Sequence, residues 1–158
     1  MSSSPMSYRQ RLADLGITLP AAKKPAFAYV PVAVHGGLAW VSGQLPWEGD
    51  ELMARGKLGA EIDTARGREI ARCCLLNGLA VLEAAIGSLD RVERIVKVTG
   101  FVASAPGFLE QPAVVDGASS LLGEIFGEAG RHARSAVGVA ELPRGVPVEI
   151  EFVAAISA

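Results

Sequence analysis

The chain has 158 residues, of which half are hydrophobic and a fifth are charged, with a formal net charge of −2. These values are typical of a single globular domain with its own core. Basic residues are neither in excess nor clustered with aromatic ones, so no nucleic-acid partner is expected. No apolar run reaches the length of a signal peptide or a membrane span, which predicts a cytoplasmic protein with no membrane partner.

The N-terminal part of the chain predicts a short helix and then a β-hairpin. Residues 6–15 have helical spacing and end at Gly16, which suits a helix C-terminus. Residues 1–20 are therefore interpreted as a helix and a link. Residues 27–34 alternate between a row of alanine and valines on one face and a row that contains Tyr29 on the other, and residues 38–43 follow a His-Gly-Gly turn signal, which predicts two paired strands.

The longest periodic segment runs from Asp63 to Ile86, with apolar residues every three or four positions. Asp63 suits the N-cap of this helix, and Gly87 suits the residue after its end. Cys73 and Cys74 are adjacent within it, and neighbouring helical side chains point about 100° apart. We interpret them as small buried side chains without a mutual disulfide. With only two histidines in the chain, no zinc site is predicted.

The C-terminal half predicts the rest of a sheet and its helix layer. Residues 95–103 predict a strand, residues 112–126 a second long helix, and residues 135–141 and 147–155 two closing strands. This order of elements predicts an α+β fold with a single sheet and two long helices packed on one face. The other face of such a sheet is left to solvent or to another subunit.

Alternation along the strands assigns charged residues to the face without helices. The valine, isoleucine and phenylalanine of the last strand suit the core, which sends Glu149 and Glu151 to the open face. In the strand before it, the valines suit the helix layer, which would place Arg134 on the open face as well. Tyr29 and Ser42 are out of phase with the apolar rows of the hairpin and are predicted to join them. The low bulk of this face is typical of an oligomer interface.

The same residues also have plainer interpretations, and spacing alone leaves them open. An arginine and a glutamate on neighbouring strands are commonly a surface ion pair, and Arg134 could pair with either Glu149 or Glu151. A serine before a glycine, as at Ser42, is commonly a turn residue. His132 is interpreted as a solvated or turn-capping side chain.

Three segments are specific in combination: "AWVSGQLP" after a tyrosine-containing strand, "VLEAAIGSLDRVERIVKVTGFVA" and "ARSAVGVAELPRGVPVEIEFVAA". Together they resemble the RidA family, also called the YjgF or reactive-intermediate deaminase family, some of whose members carry the older label L-PSP endoribonuclease. The resemblance covers about residues 29–155. It implies one domain over residues 1–158 with a chorismate-mutase-like fold, the segment 1–20 being an addition. It also implies a homotrimer of barrel-like shape, with ligand sites in the clefts between subunits.

The resemblance further implies hydrolysis of short-lived enamines and imines, such as 2-aminoacrylate, to a 2-oxo acid and ammonia, without a metal or an organic cofactor. Arg134 matches the carboxylate-binding arginine of the family, and Glu149 matches the acidic residue near the attacking water. Tyr29 and Ser42 match residues that line the family's site, and Ala136 matches the position whose main chain contacts the substrate. The alternative is a trimer that binds small carboxylates without turnover. RNA cleavage is disfavoured by the acidic pI of about 5.7.

The sequence differs in several places from the common, shorter members of the family. Extra residues lie between Phe108 and Arg134, and Ala136 stands where many active members have cysteine. The asparagine of the family's second long helix has no counterpart, although Ser119 is nearest. These departures indicate a longer branch of the family, whose substrate the resemblance does not specify.

Overall fold

Residues 4–158 are described by a computed structural model, and residues 1–3 of the predicted N-terminal extension lie outside the described residues. Within the described part, three α-helices and seven strands are formed. The helices are α1 (Tyr8–Asp14), α2 (Thr64–Ile86) and α3 (Gln111–Phe126). The strands are β1 (Val32–His35), β2 (Leu38–Gln44), β3 (Trp47–Glu48), β4 (Glu51–Leu52), β5 (Val92–Ala103), β6 (Ala133–Val139) and β7 (Val148–Ile156).

Five of these strands form one sheet in the order β1-β2-β7-β5-β6, and β3 pairs with β4 in a separate small ribbon. Neighbours in the sheet are antiparallel except for β5 and β6, which run parallel. The helices α2 and α3 contact each other and pack on the sheet. The predicted α+β fold, with two long helices on one face of a sheet, is confirmed.

The hydrophobic core lies between these two helices and the sheet. Every second residue of β7 is buried, from Val148 to Ile156, as period-two alternation requires for a strand with one covered face. Both long helices contribute apolar residues at helical spacing. The largest fully buried side chains are Phe152, Leu58, Ile70, Leu75, Leu79, Leu82, Leu89, Ile95, Leu121, Leu122, Ile125 and Ile150.

The ends of α2 follow from the residues at its caps. The side chain of Asp63 accepts a hydrogen bond of 2.8 Å from the backbone N–H of Arg66, which satisfies one donor of the first turn. Gly87 ends the helix at a φ of 90°, a backbone conformation that favours glycine. Both boundaries agree with the prediction.

The first helix, α1, is shorter than predicted. It is joined to the end of α3 by an edge-on contact between the rings of Tyr8 and Phe126, whose centroids are 4.6 Å apart.

The predicted hairpin forms, but its first strand begins at Val32, five residues later than expected. Pro31 precedes it and has no N–H with which to pair, so regular strand geometry starts after it. Gly36 and Gly37 form the two-residue turn with φ values of 60° and 76°, as a tight hairpin turn requires. Tyr29 therefore lies in an irregular segment ahead of the strand.

The predicted assignment of faces is wrong for β6. Arg134 pairs in register with Val98, which is fully buried under the helices, and its side chain contacts α3. Val137 is instead turned to the open face, where it is 41% exposed. The prediction assumed that the bulkier residues of the strand face the helices.

Close packing of α3 explains why the small residues of β6 face the helices. A Cβ atom on Gly138 would lie 2.8 Å from the side-chain nitrogen of Gln111, closer than real contacts allow. Ala136 pairs with Gly100 of β5, where a Cβ atom would overlap Val115 of α3. The helix therefore needs small residues beneath it on both strands.

No helix in the described part of the chain combines the length and the apolar character needed to cross a membrane.

Candidate functional site

Three of the predicted site residues, Tyr29, Ser42 and Glu149, lie together with Glu151 on the face opposite the helices. Tyr29, Ser42, Glu149 and Glu151 line a cavity of about 720 Å³ there, and all but Glu149 also line a neighbouring cavity of about 500 Å³. We call these four residues the open-face group. Period-two alternation in β7 is the reason that both glutamates point to this face.

A β-bulge in β2 positions Ser42. The register between β2 and β7 shifts between Val41 and Gln44, so the Ser-Gly pair forms a bulge inside the strand, where the plainer interpretation expects a turn. The hydroxyl of Ser42 donates a hydrogen bond of 2.7 Å to the carbonyl of Val30. This bond ties β2 to the irregular segment that carries Tyr29.

The bulge also makes room for Glu149. A Cβ atom on Gly43 would lie 2.9 Å from the carboxyl carbon of Glu149, so the glutamate side chain lies directly over the glycine backbone. Sequence reasoning missed Gly43 as a site residue. The signal was a glycine inside a strand pattern, which often marks a bulge or a close approach.

The carboxylate of Glu149 is half-buried and forms no ion pair with any residue of the described part, 4–158. Burial raises the pKa of Glu149 above its usual value, and the negative charge of Glu151 raises it further. A carboxylate with a raised pKa is a better proton acceptor near neutral pH than an ordinary surface glutamate. The arrangement therefore suits general base chemistry.

The guanidinium of Arg134 lies on the opposite side of the sheet, held by α3. Its Nη1 atom is 2.6 Å from a carboxylate oxygen of Asp116 and donates to the hydroxyl of Ser119 at 3.2 Å. Its Nη2 atom is 3.4 Å from the carbonyl oxygen of Pro112. Sequence reasoning missed Asp116, although a polar pair three residues apart shares one helix face.

His132 completes this second cluster. Its Nδ1 atom is 2.7 Å from the carbonyl oxygen of Gly130, and its Nε2 atom is 2.9 Å from the hydroxyl of Ser119. Burial lowers the pKa of His132, the bond to Gly130 partly offsets this, and the charge of Arg134 lowers it again. Of the two earlier interpretations, the turn-capping one fits this half-buried ring. We call Asp116, Ser119, His132 and Arg134 the edge group.

The edge group and the open-face group do not meet within one chain. Arg134 lies on the edge strand β6, and Glu149 lies on β7, two strands away. Adjacent strands are about 4.8 Å apart, so the two strand axes are about 10 Å apart, and the side chains point to opposite faces. The simple ion pair between Arg134 and Glu149 or Glu151 is therefore not formed, because Arg134 pairs with Asp116.

Ala136, the remaining predicted site residue, is half-buried on the helix side of the sheet and packs against the core.

The two cysteines lie on α2 and belong to neither group, and burial disfavours their thiolate forms. Cys74 is fully buried, and its pKa is raised well above the usual value by burial. Cys73 is half-buried, and its pKa is raised to about 11, also mainly by burial. Thiols with such pKa values are poor nucleophiles at neutral pH. Across residues 4–158, no group of three His, Cys, Asp or Glu side chains is arranged to hold a metal ion.

The chain is similar in sequence to a known protein family and in fold to several solved structures. The family described as "YjgF/chorismate mutase-like, putative endoribonuclease" matches residues 9–146. Protein TCP17 of Trypanosoma cruzi is 48% identical over 141 residues, which cover 89% of this chain and 88% of TCP17. The crystal structure of Atu1372, a protein with unknown function from Agrobacterium tumefaciens, is 42% identical with a TM-score of 0.88, over 96% of this chain and 93% of that one. The structure of E. coli TdcF with bound serine is 28% identical with a TM-score of 0.64, over 86% and 94% of the two chains.

Proposed function

Because the chain belongs to the YjgF/chorismate mutase-like family, we propose that it hydrolyses small imines and enamines that carry a carboxylate. The product would be a 2-oxo acid, with release of ammonia. The reaction takes place at sites shared between two subunits of a homotrimer. Arg134 of one subunit binds the substrate carboxylate, and Glu149 of the next subunit activates the water.

One observation carries this proposal: the carboxylate anchor and the candidate base lie on opposite faces of the same sheet. In a 2-imino acid the carboxylate is bonded directly to the imine carbon, so anchor and base must lie within a few ångströms of one substrate. One chain does not bring Arg134 and Glu149 together, since two strand spacings and the sheet itself separate them. The edge of one subunit docked on the open face of another would do so.

The exposed apolar residues of the open face support such docking. Trp40 and Val30, which line the smaller cavity beside Glu151, are 54% and 59% exposed, and Tyr29 is 51% exposed. Val137, on the open face of β6, adds to them. Aromatic and aliphatic side chains exposed together on one sheet face are typical of the core of a subunit interface.

The guanidinium of Arg134 suits a carboxylate because its planar fork binds both oxygens and keeps its charge. With the Nη1 hydrogens directed to Asp116 and Ser119, the edge formed by Nε and Nη2 is the one left for a substrate. Within the described residues Nε has no partner, and Nη2 makes only the 3.4 Å contact to a carbonyl. The substrate carboxylate would replace or share that weak contact.

The proposed chemistry consumes one water and releases one ammonium ion for each imine. The water oxygen bonds to the carbon of the protonated imine while one of its protons passes to Glu149. Glu149 then returns this proton to the nitrogen. The carbon–nitrogen bond breaks and the carbon–oxygen double bond forms, while Glu149 takes the remaining hydroxyl proton and passes it to the departing ammonia, which leaves as ammonium. The raised pKa of Glu149 favours both the uptake and the return of the proton.

Mixing two inactive variants tests the shared site directly. Arg134→Ala subunits keep Glu149, and Glu149→Gln subunits keep Arg134, so each variant alone should be inactive on an imine generated in situ by an amino-acid oxidase. In a trimer assembled at random from equal amounts, about a quarter of the sites combine the two intact residues. Recovery of about a quarter of wild-type activity is the expected result. A mixture as inactive as its components would exclude the shared site.

A second candidate function is that of a trimer that binds small carboxylates without turnover. The serine bound to E. coli TdcF supports it. If calorimetry detects binding of a 2-oxo acid that depends on Arg134, and no imine is hydrolysed, this binding function replaces the catalytic proposal.

A third candidate function is RNA cleavage, which the family description "putative endoribonuclease" favours. An RNA-cleavage assay on nuclease-free protein distinguishes it, and cleavage that persists in Arg134→Ala and Glu149→Gln would place it at another site.

A further inference from the structure

In a neutral ring, the hydrogen bonds of His132 have only one consistent direction. The carbonyl oxygen of Gly130 can only accept, so the Nδ1 atom of His132, 2.7 Å away, must carry the proton. In the neutral ring Nε2 is then an acceptor, and the hydroxyl of Ser119, 2.9 Å away, is the donor to it. The ring is therefore held in the tautomer with its proton on Nδ1.

The same hydroxyl links the histidine to the arginine. A guanidinium has donors only, so Arg134 Nη1 donates to the oxygen of Ser119 at 3.2 Å. The chain of donors then runs from Arg134 to Ser119, from Ser119 to His132, and from His132 to the backbone at Gly130. The hydroxyl group of Ser119 has a single hydrogen. When this hydrogen is donated to His132, the lone pairs of the hydroxyl oxygen are directed at Nη1 of Arg134.

We infer that Ser119 and His132 are positioning residues, which together with Asp116 fix the guanidinium of Arg134 so that its Nε–Nη2 edge faces the substrate carboxylate. This inference rests on the proposed function of Arg134 as the carboxylate anchor. Asp116 takes one Nη1 hydrogen at 2.6 Å and Ser119 takes the other. A rigid bidentate donor binds an anion more tightly than a mobile one, because less freedom is lost on binding.

Burial and the positive charge of Arg134 both disfavour protonation of His132 and lower its pKa. Arg134 lies two residues after His132, on β6, and Asp116 lies on α3 and pairs with Arg134. Arg131, next in sequence, forms an exposed ion pair with Glu128. Protonation of the ring would turn Nε2 into a donor and place two donors against Ser119.

Variants of this chain of donors separate positioning from general stability. Ser119→Ala and His132→Phe each remove one link, and each should weaken pyruvate binding about tenfold in calorimetry, the usual effect of losing a hydrogen bond to a charged group. The double variant should bind no more weakly than either single variant, because both break the same chain. His132→Gln keeps an oxygen acceptor near the position of Nε2 and should bind within about twofold of wild type.

Matched controls are available on the same elements. Ser120 is the exposed neighbour of Ser119 on α3, and Ser120→Ala should leave the pyruvate Kd unchanged. His35→Gln removes the other histidine of the chain, which is exposed on β1. Additive effects of Ser119→Ala and His132→Phe, or equal losses with His132→Gln and His132→Phe, would overturn the inference.

Nitrogen NMR of protein with isotope-labelled histidine tests the same chain without any ligand. The neutral ring of His132 should carry its proton on Nδ1, and a proton on Nε2 would overturn the inference by itself. Wild-type protein that binds pyruvate while the variants bind it equally well also overturns it, and leaves the proposed function standing. Wild-type protein that binds no 2-oxo acid removes the anchor role of Arg134, and the positioning inference fails together with it.

Discussion

The edge group and the open-face group differ in how completely their charges are partnered. On the helix side of β6, Arg134 has Asp116 and Ser119 as partners, and His132 has partners at both ring nitrogens. On the open face, Glu149 is half-buried without an ion pair to any residue in the described range. The edge group is therefore preorganised within one chain, whereas the open-face group keeps a carboxylate without an ion pair in the described range.

This difference has a physical cause in the two layers of the fold. A charge placed under a helix is removed from water and needs partners within the chain, and α3 provides them at positions three residues apart. A charge on the uncovered face keeps part of its hydration and needs none. Burial raises the pKa of Glu149 and the charge of Glu151 raises it further, as expected for a group that is partly removed from water.

The largest expected effect comes from removing the anchor of the edge group. Arg134→Ala should lower kcat/KM for an imine of a small amino acid by about 10² to 10³, since truncating one member of a hydrogen-bonded charge pair costs about 2–5 kcal/mol. Steady-state ammonia release measures it, and sedimentation should show an unchanged assembly. Arg131→Ala, an exposed neighbour paired with Glu128, is the control and should retain full activity. An Arg134→Ala variant as active as this control would show that the edge group has no part in the reaction.

A smaller effect is expected from disturbing the bulge under the open-face group. Gly43→Ala places a Cβ atom 2.9 Å from the carboxyl carbon of Glu149 and should push the base out of line, lowering kcat about tenfold. The glutamate is the end of a flexible side chain, so thermal unfolding should change little. Gly123→Ala, on α3 with nothing within 4 Å, is the matched control. Equal kcat in both variants would argue that the position of Glu149 is irrelevant to turnover.

The smallest effect is expected from Glu151, which acts on Glu149 only through its charge. Glu149 must be ionised to accept a proton, so kcat/KM should fall as the pH drops through its raised pKa. Glu151→Gln removes a neighbouring negative charge, which makes ionisation easier and should move this inflection to lower pH. A pH–rate profile of both proteins measures the shift. An inflection that stays in place would mean that the titrating group is not Glu149.

Much of the fold could be predicted because local patterns and the final structure agree. The alternation of β7 places both glutamates correctly, since one covered face imposes a strict period of two. The cap residues Asp63 and Gly87 set the ends of α2 by local hydrogen bonding and backbone conformation. These features depend on residues close together in the sequence.

The face of β6 could not be predicted in the same way. The strand lies at the edge of the sheet and α3 packs tightly over it, so small residues are needed beneath the helix and Val137 is turned outward. The rule that bulky residues face the helices fails where the distance between the layers is short. The pairing of Arg134 with Asp116, 18 residues earlier in the chain, follows from that packing and from no local signal.

The sequence by itself determined the α+β architecture, the ends of α2 and the orientation of Glu149, because hydrophobic period and cap chemistry act over a few residues. Only the tertiary structure decided that Arg134 turns under α3, and that Gly43 opens the space for Glu149. Those two outcomes depend on how closely distant elements approach each other. That distance is set by packing across the whole domain and is not written in any single segment.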